Sequence, residues 1–183
     1  ACRMCLPSFS TKVKKVWDIL GKTQNMEVDT LMNTPDYILK NRKHISYVDI
    51  NGGEPFYHKK AKNLLRELIR TGDNEHITLH ITTNATRIDP DTVAMVKKFK
   101  DVVLSISIDG VGAVQEYIRP GCNWNKLTEN IKLLRTNGIS LQVASTISVM
   151  TMLRLPELEQ WCKDNGIFWS QPGLIDKPGE LGP

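Results

Sequence analysis

Residues 50–56 read Ile-Asn-Gly-Gly-Glu-Pro-Phe, and this stretch decides how the rest of the chain is interpreted. It follows an apolar-rich run and precedes a helical pattern, so we predict that it lies at the carboxyl end of a β-strand. Gly52 and Gly53 let the backbone turn sharply and leave a surface without side chains, which suits close approach by a ligand. Glu54 follows as an acceptor for a cationic group. A plain strand-to-helix turn with a solvent-facing acid is the alternative interpretation.

Outward from this stretch, strand and helix patterns alternate along the chain. β-rich runs are predicted at residues 45–50, 77–82, 102–108, 139–149 and 167–170. Helices are predicted near residues 13–20, 35–40, 58–71, 89–99, 127–137 and 158–165, several of them ended by a glycine. A loop is expected through Arg119, and residues 171–183, with three prolines and three glycines, are expected to form an irregular tail.

Repeated strand–helix units predict an α/β fold with a parallel sheet, either an open doubly wound sheet or a barrel. In both architectures ligands bind at the carboxyl ends of the strands. Polar and glycine residues recur at these ends, at positions 51–54, 83–84 and 107–110. No domain boundary or repeat is visible, so residues 1–183 are expected to form a single domain.

Composition narrows the class of protein. The 183 residues are 40% hydrophobic and 24% charged, which is ordinary for one globular domain. We expect no membrane span, because no apolar run approaches about 18–20 residues. We also expect no secretory leader, because there is no basic, apolar, small-residue stretch of that kind. The net charge of +4 comes from short lysine-rich clusters. These clusters are predicted to be solvated helix surface rather than a nucleic-acid footprint, which needs a contiguous basic stripe with aromatics.

Four cysteines are too few and too unevenly spaced for a disulfide scaffold, and they favour a reducing, cytoplasmic setting. Cys2 and Cys5 are separated by two residues in a loop. Thiolates at this spacing can bind zinc, form a redox disulfide or ligate an iron–sulfur cluster. Zinc would need two more ligands, and an iron–sulfur cluster would need at least one more thiolate. Cys162 is predicted to be a core residue, and Cys122 an unligated loop residue.

Four motifs resemble those of the radical S-adenosylmethionine (radical SAM) superfamily. Cys2-Arg3-Met4-Cys5 resembles the last two cysteines of its Cys-x3-Cys-x2-Cys signature, and Asn51 to Pro55 resembles its Gly-Gly-Glu-Pro motif. Thr82-Thr83-Asn84-Ala85-Thr86 resembles the family's third-strand motif. Ser107-Ile108-Asp109-Gly110, together with Arg119, resembles its fourth-strand motif. The resemblance is closest to the branch that carries SPASM or twitch extensions.

This resemblance implies a partial (β/α)6 TIM-like barrel. The family's first cysteine and first barrel strand would lie before Ala1, so we expect a core that is truncated at both ends. It also implies a 4Fe–4S cluster with S-adenosylmethionine (SAM) on its open iron. Cys2 and Cys5 would be cluster ligands, and the backbone around Met4 would lie against adenine.

For SAM itself, the resemblance implies several contacts. Gly52 and Gly53 would approach the methionyl group, and Glu54 would accept from its ammonium. Arg119 would pair with the SAM carboxylate as a planar fork. Further hydrogen bonds to SAM are expected from Ser107, Asp109 and Asn84.

The function implied by the resemblance is reductive cleavage of SAM to a 5′-deoxyadenosyl radical that abstracts hydrogen from a peptide or protein side chain. A flavodoxin or ferredoxin would supply the electron. Two other functions remain open from the residues alone: a non-catalytic metal-binding or scaffold module on the same barrel, and a dithiol redox protein that uses Cys2 and Cys5.

Overall fold

A computed structural model of the protein describes residue 15, residues 18–20 and residues 34–175. Lys15, Asp18 and Ile19 are helical, in the region where the first helix is predicted. The predicted cluster ligands Cys2 and Cys5, and Met4 between them, lie outside the described residues.

The described helices and strands alternate as the sequence predicts. The α-helices are α1 (Thr34–Asn41), α2 (Lys59–Arg70), α3 (Pro90–Val96), α4 (Ala113–Ile118), α5 (Trp124–Thr136) and α6 (Leu155–Asp164). The strands are β1 (Tyr47–Ile50), β2 (Thr78–Thr83), β3 (Asp101–Ser107), β4 (Ser140–Ala144), β5 (Thr146–Ile147), β6 (Phe168–Trp169) and β7 (Gly173–Leu174). Short 3-10 turns occupy Arg42–His44, Pro55–Tyr57, Asp73–Glu75 and Met152–Arg154.

The main sheet confirms the predicted parallel α/β architecture. Its strand order is β1-β2-β3-β4-β6. β1 and β2 pair in parallel with Ile50 opposite Ile81, and β2 and β3 pair in parallel with Thr83 opposite Ile106. The carboxyl ends of β1, β2 and β3 therefore lie at one edge of the sheet. A second, two-stranded parallel sheet joins β5 and β7.

The chain divides into two compact units. The described part of the first unit contains residues 34–107 and 126–143, and the described part of the second contains residue 15 and residues 18–20, 108–125 and 144–175. The single domain predicted from sequence stays a prediction.

The core of the first unit follows from alternation along the strands. In β2, Leu79, Ile81 and Thr83 are buried, while the residues between them are half-buried. The amphipathic helix α2 contributes the buried Leu64, Leu65 and Leu68. Burying each such aliphatic side chain stabilises the fold by about 1.5–3 kcal/mol before conformational entropy is counted. One face of β2 is therefore apolar apart from Thr83, and the other carries Thr78, His80 and Thr82.

The second unit has its own apolar contacts. Ile118 of α4 and Ile175 are buried together, and Val114 and Met150 pack against them. Leu158 of α6 is fully buried.

Three segments differ from the sequence prediction. The strand predicted at residues 139–149 is interrupted at Ser145, whose carbonyl oxygen accepts from the Gly173 amide at 3.0 Å, so that β4 and β5 join different sheets. The predicted loop before Arg119 contains α4, which begins after Gly112 at a φ of +58°. Residues 171–183, which are predicted to be irregular, contain β7 at Gly173–Leu174.

Among the described residues, no helix combines the length and the apolar composition that crossing a membrane requires.

Candidate functional site

The loop after β1 presents a bare stretch of backbone. Gly52 and Gly53 have φ values of +87° and +59°, a conformation that L side chains rarely adopt. Among the described residues, no heavy atom outside the adjacent residues lies within 4 Å of the point where a Cβ would stand at either position. The described residues therefore leave the space over both glycines open, and close approach by a ligand stays a prediction.

Glu54 is held firmly by residues of the next strand. Its Oε1 accepts from the Thr83 hydroxyl at 2.6 Å and from the Phe56 amide at 3.3 Å, and its Oε2 accepts from the Asn84 amide at 2.8 Å. The side chain is half-buried. A carboxylate has about four acceptor positions, so these three hydrogen bonds orient the group and leave acceptor capacity on Oε2.

The end of β2 adopts a strained conformation that the sequence does not predict. Ala85 is fully buried and has a φ of +49°, the one non-glycine residue with positive φ in the described part of the chain. Its amide donates to the Thr83 hydroxyl at 3.0 Å, and its carbonyl accepts from Asn130 Nδ2 at 2.7 Å. Strain of this kind persists only where neighbouring groups hold it. Asn130 is detectable in the sequence as a polar residue on the apolar face of its helix.

Asn84 and Ser107 occupy the ends of the neighbouring strands. The Asn84 Oδ1 accepts from the amide and the hydroxyl of Thr86, at 2.9 and 2.6 Å, so this oxygen caps the following loop. Ser107 is the last residue of β3 and is half-buried. Within the first unit, the structure brings Glu54 and Asn84 together directly and places Gly52, Gly53 and Ser107 at the ends of β1 and β3.

Asp109 and Arg119 form a pair in the second unit. Asp109 Oδ2 accepts from Arg119 Nε at 2.7 Å, and Oδ1 accepts from the Thr146 amide at 2.9 Å. The Asp109 amide donates to Gln115 Oε1 at 2.9 Å. The carboxylate side chain is fully buried, while that of Arg119 is 21% exposed. In this structure Asp109 orients the Arg119 guanidinium, and its role toward a ligand stays a prediction.

The two described cysteines are poor candidates for metal ligands. Burial raises the pKa of the Cys162 thiol to about 11, and the side chain is 2% exposed, which confirms it as a core residue. Burial also raises the pKa of the half-buried Cys122, against the opposing effect of Arg119. A metal binds the thiolate, so a raised pKa disfavours the form of either side chain that would bind one. Among the described residues, no group of three or more His, Cys, Asp and Glu side chains could hold a metal ion.

Comparison with known proteins adds a family assignment to this geometry. The family model described as "Radical SAM superfamily" matches residues 1–163. The curated "Antilisterial bacteriocin subtilosin biosynthesis protein AlbA" of Bacillus subtilis (strain 168) is 24% identical over 144 residues. The match covers 77% of this chain and 31% of AlbA, so the chain spans about a third of that relative's length.

Solved structures share the fold. Streptococcus suis SuiB bound to the precursor peptide SuiA has a TM-score of 0.66 at 18% identity, covering 100% of this chain and 38% of SuiB. Native anSMEcpe with bound AdoMet and the Cp18Cys peptide has a TM-score of 0.65 at 17% identity, covering 94% of this chain and 46% of that one. At these identities the likeness concerns the fold alone.

Proposed function

The chain belongs to the radical SAM superfamily, and from this premise we propose that the protein is an enzyme that uses a 4Fe–4S cluster to cleave SAM reductively. When bound, these cofactors supply a 5′-deoxyadenosyl radical that abstracts hydrogen from the substrate. Every role given to a residue below is part of the proposal.

The arrangement of Glu54 is the observation that carries the proposal. Three hydrogen bonds hold its carboxylate beside the open backbone of Gly52 and Gly53. A pre-oriented carboxylate next to bare backbone suits an α-amino group, because the ammonium donates to the carboxylate while the rest of the amino acid lies over the glycines. The methionyl part of SAM has this chemistry. Asn84 Nδ2 and the Ser107 hydroxyl would add hydrogen bonds at the neighbouring strand ends.

The cluster would be held by the thiolates of Cys2 and Cys5 together with a third thiolate. The backbone around Met4 would lie against adenine. Arg119 would bind the SAM carboxylate with its orientation supported by Asp109, whose burial favours this positioning role over direct contact.

The substrate that we propose is a peptide or protein side chain. The support comes from the relatives: AlbA is a bacteriocin biosynthesis protein, and SuiB was solved with a precursor peptide. Reductive cleavage needs one electron from outside the chain, for which we propose a flavodoxin or ferredoxin. A cytoplasmic setting is proposed because it keeps the thiolates reduced.

Anaerobic reconstitution tests this function. The full-length protein is loaded with iron and sulfide, then given a reductant and SAM, and 5′-deoxyadenosine is measured by liquid chromatography. We expect a brown chromophore typical of a 4Fe–4S cluster and formation of 5′-deoxyadenosine that depends on the reductant. A protein that takes up no cluster, or one that takes it up and releases no 5′-deoxyadenosine, would contradict the proposal.

A further inference from the structure

Four hydrogen-bonded side chains, which we call the polar row, cross the main sheet from β1 to β4. They are Asp49, His80, Ser105 and Gln142, one from each strand. Asp49 Oδ1 lies 2.9 Å from His80 Nδ1, His80 Nε2 lies 2.7 Å from Ser105 Oγ, and Gln142 Nε2 lies 2.6 Å from Ser105 Oγ. All four residues belong to the first unit.

A polar row is unusual on a parallel sheet, whose strands are normally apolar on both faces. Polar groups lose hydration on burial and must regain it as hydrogen bonds. Ser105 is 2% exposed, the His80 side chain 18% and the Asp49 side chain 39%, while Gln142 is half-buried. Exposure therefore rises from Ser105 on β3 to Asp49 on β1, and the row ends in an exposed acid.

The hydrogen bonds of the polar row show which of its side chains is anionic. An ionised Asp49 can only accept, so His80 Nδ1 carries a hydrogen. Ser105 Oγ accepts from Gln142 Nε2 at 2.6 Å and lies 2.7 Å from His80 Nε2, which also lies 3.3 Å from Gln142 Nε2. The anionic group of the polar row is therefore the Asp49 carboxylate, and the other three side chains hold it by hydrogen bonds.

An aromatic ring lies beside this charge. Tyr47, two residues before Asp49 and on the same side of β1, is 55% exposed and stacks on His80 at a centroid distance of 6.4 Å. A carboxylate next to an exposed aromatic face is a combination that attracts cations, by charge-assisted hydrogen bonding and by cation–π contact.

We propose that Asp49 and Tyr47 bind a cationic group of the substrate, a guanidinium in particular, and that His80, Ser105 and Gln142 position Asp49. A guanidinium suits the site because its plane stacks on an aromatic ring while its N–H groups donate to a carboxylate. Asp49 is the third residue of β1 and lies three positions before Gly52. Its side chain is on the face of the sheet that carries the polar row. That a peptide is the substrate rests on the proposed function, whereas the cation preference rests on the polar row.

A binding experiment on the full-length protein tests the cation preference. Imidazole nitrogens of the 15N-histidine-labelled protein are followed by NMR, with the His80 signal identified by its loss in His80→Gln. The probes are N-acetyl-arginine amide and its neutral isostere N-acetyl-citrulline amide. We expect His80 Nδ1 to carry a hydrogen, a saturable shift with the arginine probe, and about tenfold weaker binding of the citrulline probe, because a charge-assisted hydrogen bond is lost.

Two aspartate variants provide the matched comparison. Asp49→Asn is expected to lower the affinity for the arginine probe about tenfold, to that of the citrulline probe. Asp91→Asn removes an exposed acid on α3, outside the sheet that carries the polar row, and is expected to leave the affinity unchanged. Equal binding of the two probes by the unaltered protein, a His80 Nδ1 without a hydrogen or an unchanged affinity in Asp49→Asn would overturn the proposal. The two probes are compared on the unaltered protein, so that comparison decides even if Asp49→Asn fails to fold.

The outcome is separable from that of the proposed function, because the NMR titration is done without SAM or reductant. A saturable, charge-dependent shift in a protein that cannot cleave SAM would contradict the proposed function alone. Cleavage of SAM by a protein that does not distinguish the two probes would contradict the cation site alone.

Discussion

At the scale of single residues, Glu54 and Asp109 show how two acids at strand ends are used differently. Glu54 is half-buried and keeps acceptor capacity beside bare backbone. Asp109 is fully buried, and both of its oxygens are bound within the fold. Only Glu54 therefore has the exposure that direct contact with a ligand requires.

We predict that Glu54→Gln slows 5′-deoxyadenosine formation by the reconstituted full-length protein about tenfold or more. The amide loses the negative charge that binds an ammonium, and a hydrogen bond to a charged group contributes about 1.5–3 kcal/mol. The exposed Glu75→Gln serves as the matched control and should match the unaltered protein. A rate in Glu54→Gln equal to that of the control would contradict the role given to Glu54.

For Asp109, the prediction concerns stability. Asp109→Asn removes the charge of the buried carboxylate to which Arg119 Nε donates, and breaking a buried ion pair in this way costs about 3–5 kcal/mol. Urea unfolding followed by circular dichroism measures the loss. Asp101→Asn, an exposed acid on β3, should change the free energy of unfolding by less than about 0.5 kcal/mol. A similar small effect in both variants would show that the Asp109–Arg119 pair is not a structural contact.

At the scale of elements, α3 shows a helix whose start is encoded locally and whose end is not. Asp89 is the N-cap and Pro90 the first helical residue, as the sequence predicts. The helix ends at Val96 rather than near Phe99. The Lys98 and Phe99 amides instead donate to carbonyls three residues back, at 3.3 and 3.1 Å, in a tighter turn that brings Phe99 into the core.

The cap of α3 leads to a prediction about pH. Hydrogen bonds from Thr92 hold the pKa of Asp89 below its ordinary value. A depressed carboxyl pKa means that the stabilisation is full above the unfolded pKa of about 3.9 and is lost as the pH falls through the lower, folded pKa. Asp89→Ala should cost about 1 kcal/mol at pH 7, and this difference should vanish in strong acid.

Urea unfolding of both proteins across this pH range measures that difference. Asp91→Ala, an exposed acid in the first turn of the same helix, is the control and should show a smaller loss at pH 7. A difference between the unaltered protein and Asp89→Ala that is the same at every pH would show that the cap does not depend on the charge of Asp89.

At the scale of the whole molecule, the four cysteines divide into two kinds. Cys122 and Cys162 have raised thiol pKa values, and neither belongs to a group of described His, Cys, Asp and Glu side chains that could hold a metal ion. Cys2 and Cys5 are the ligands that we propose for the cluster.

Iron content is expected to follow this division. After anaerobic reconstitution, Cys122→Ala and Cys162→Ala should hold as much iron per chain as the unaltered protein, whereas Cys2→Ala or Cys5→Ala should lose most of it, because a missing thiolate ligand weakens the hold on the cluster. Iron and sulfide assays measure the effect. Full iron content in Cys2→Ala and Cys5→Ala would show that the cluster, if present, is held elsewhere.

The parallel α/β fold, most helix starts and the glycines that follow several helices could be predicted from the sequence. These features depend on local properties: the spacing of apolar residues, the fixed φ of proline, and the access of Gly72 and Gly138 to φ values of +76° and +75°. The rule that parallel strands end at one edge then made Gly52 and Glu54 candidates for a site.

Only the tertiary structure decided which partner each polar group has. The hydrogen bonds of Glu54 to the end of β2, the positive φ of Ala85 and the polar row through His80 join residues far apart in the chain. The interruption at Ser145 depends in the same way on Gly173. Hydrogen bonds and burial at these positions arise from contacts made after the strands have paired, and no local pattern of residues records them.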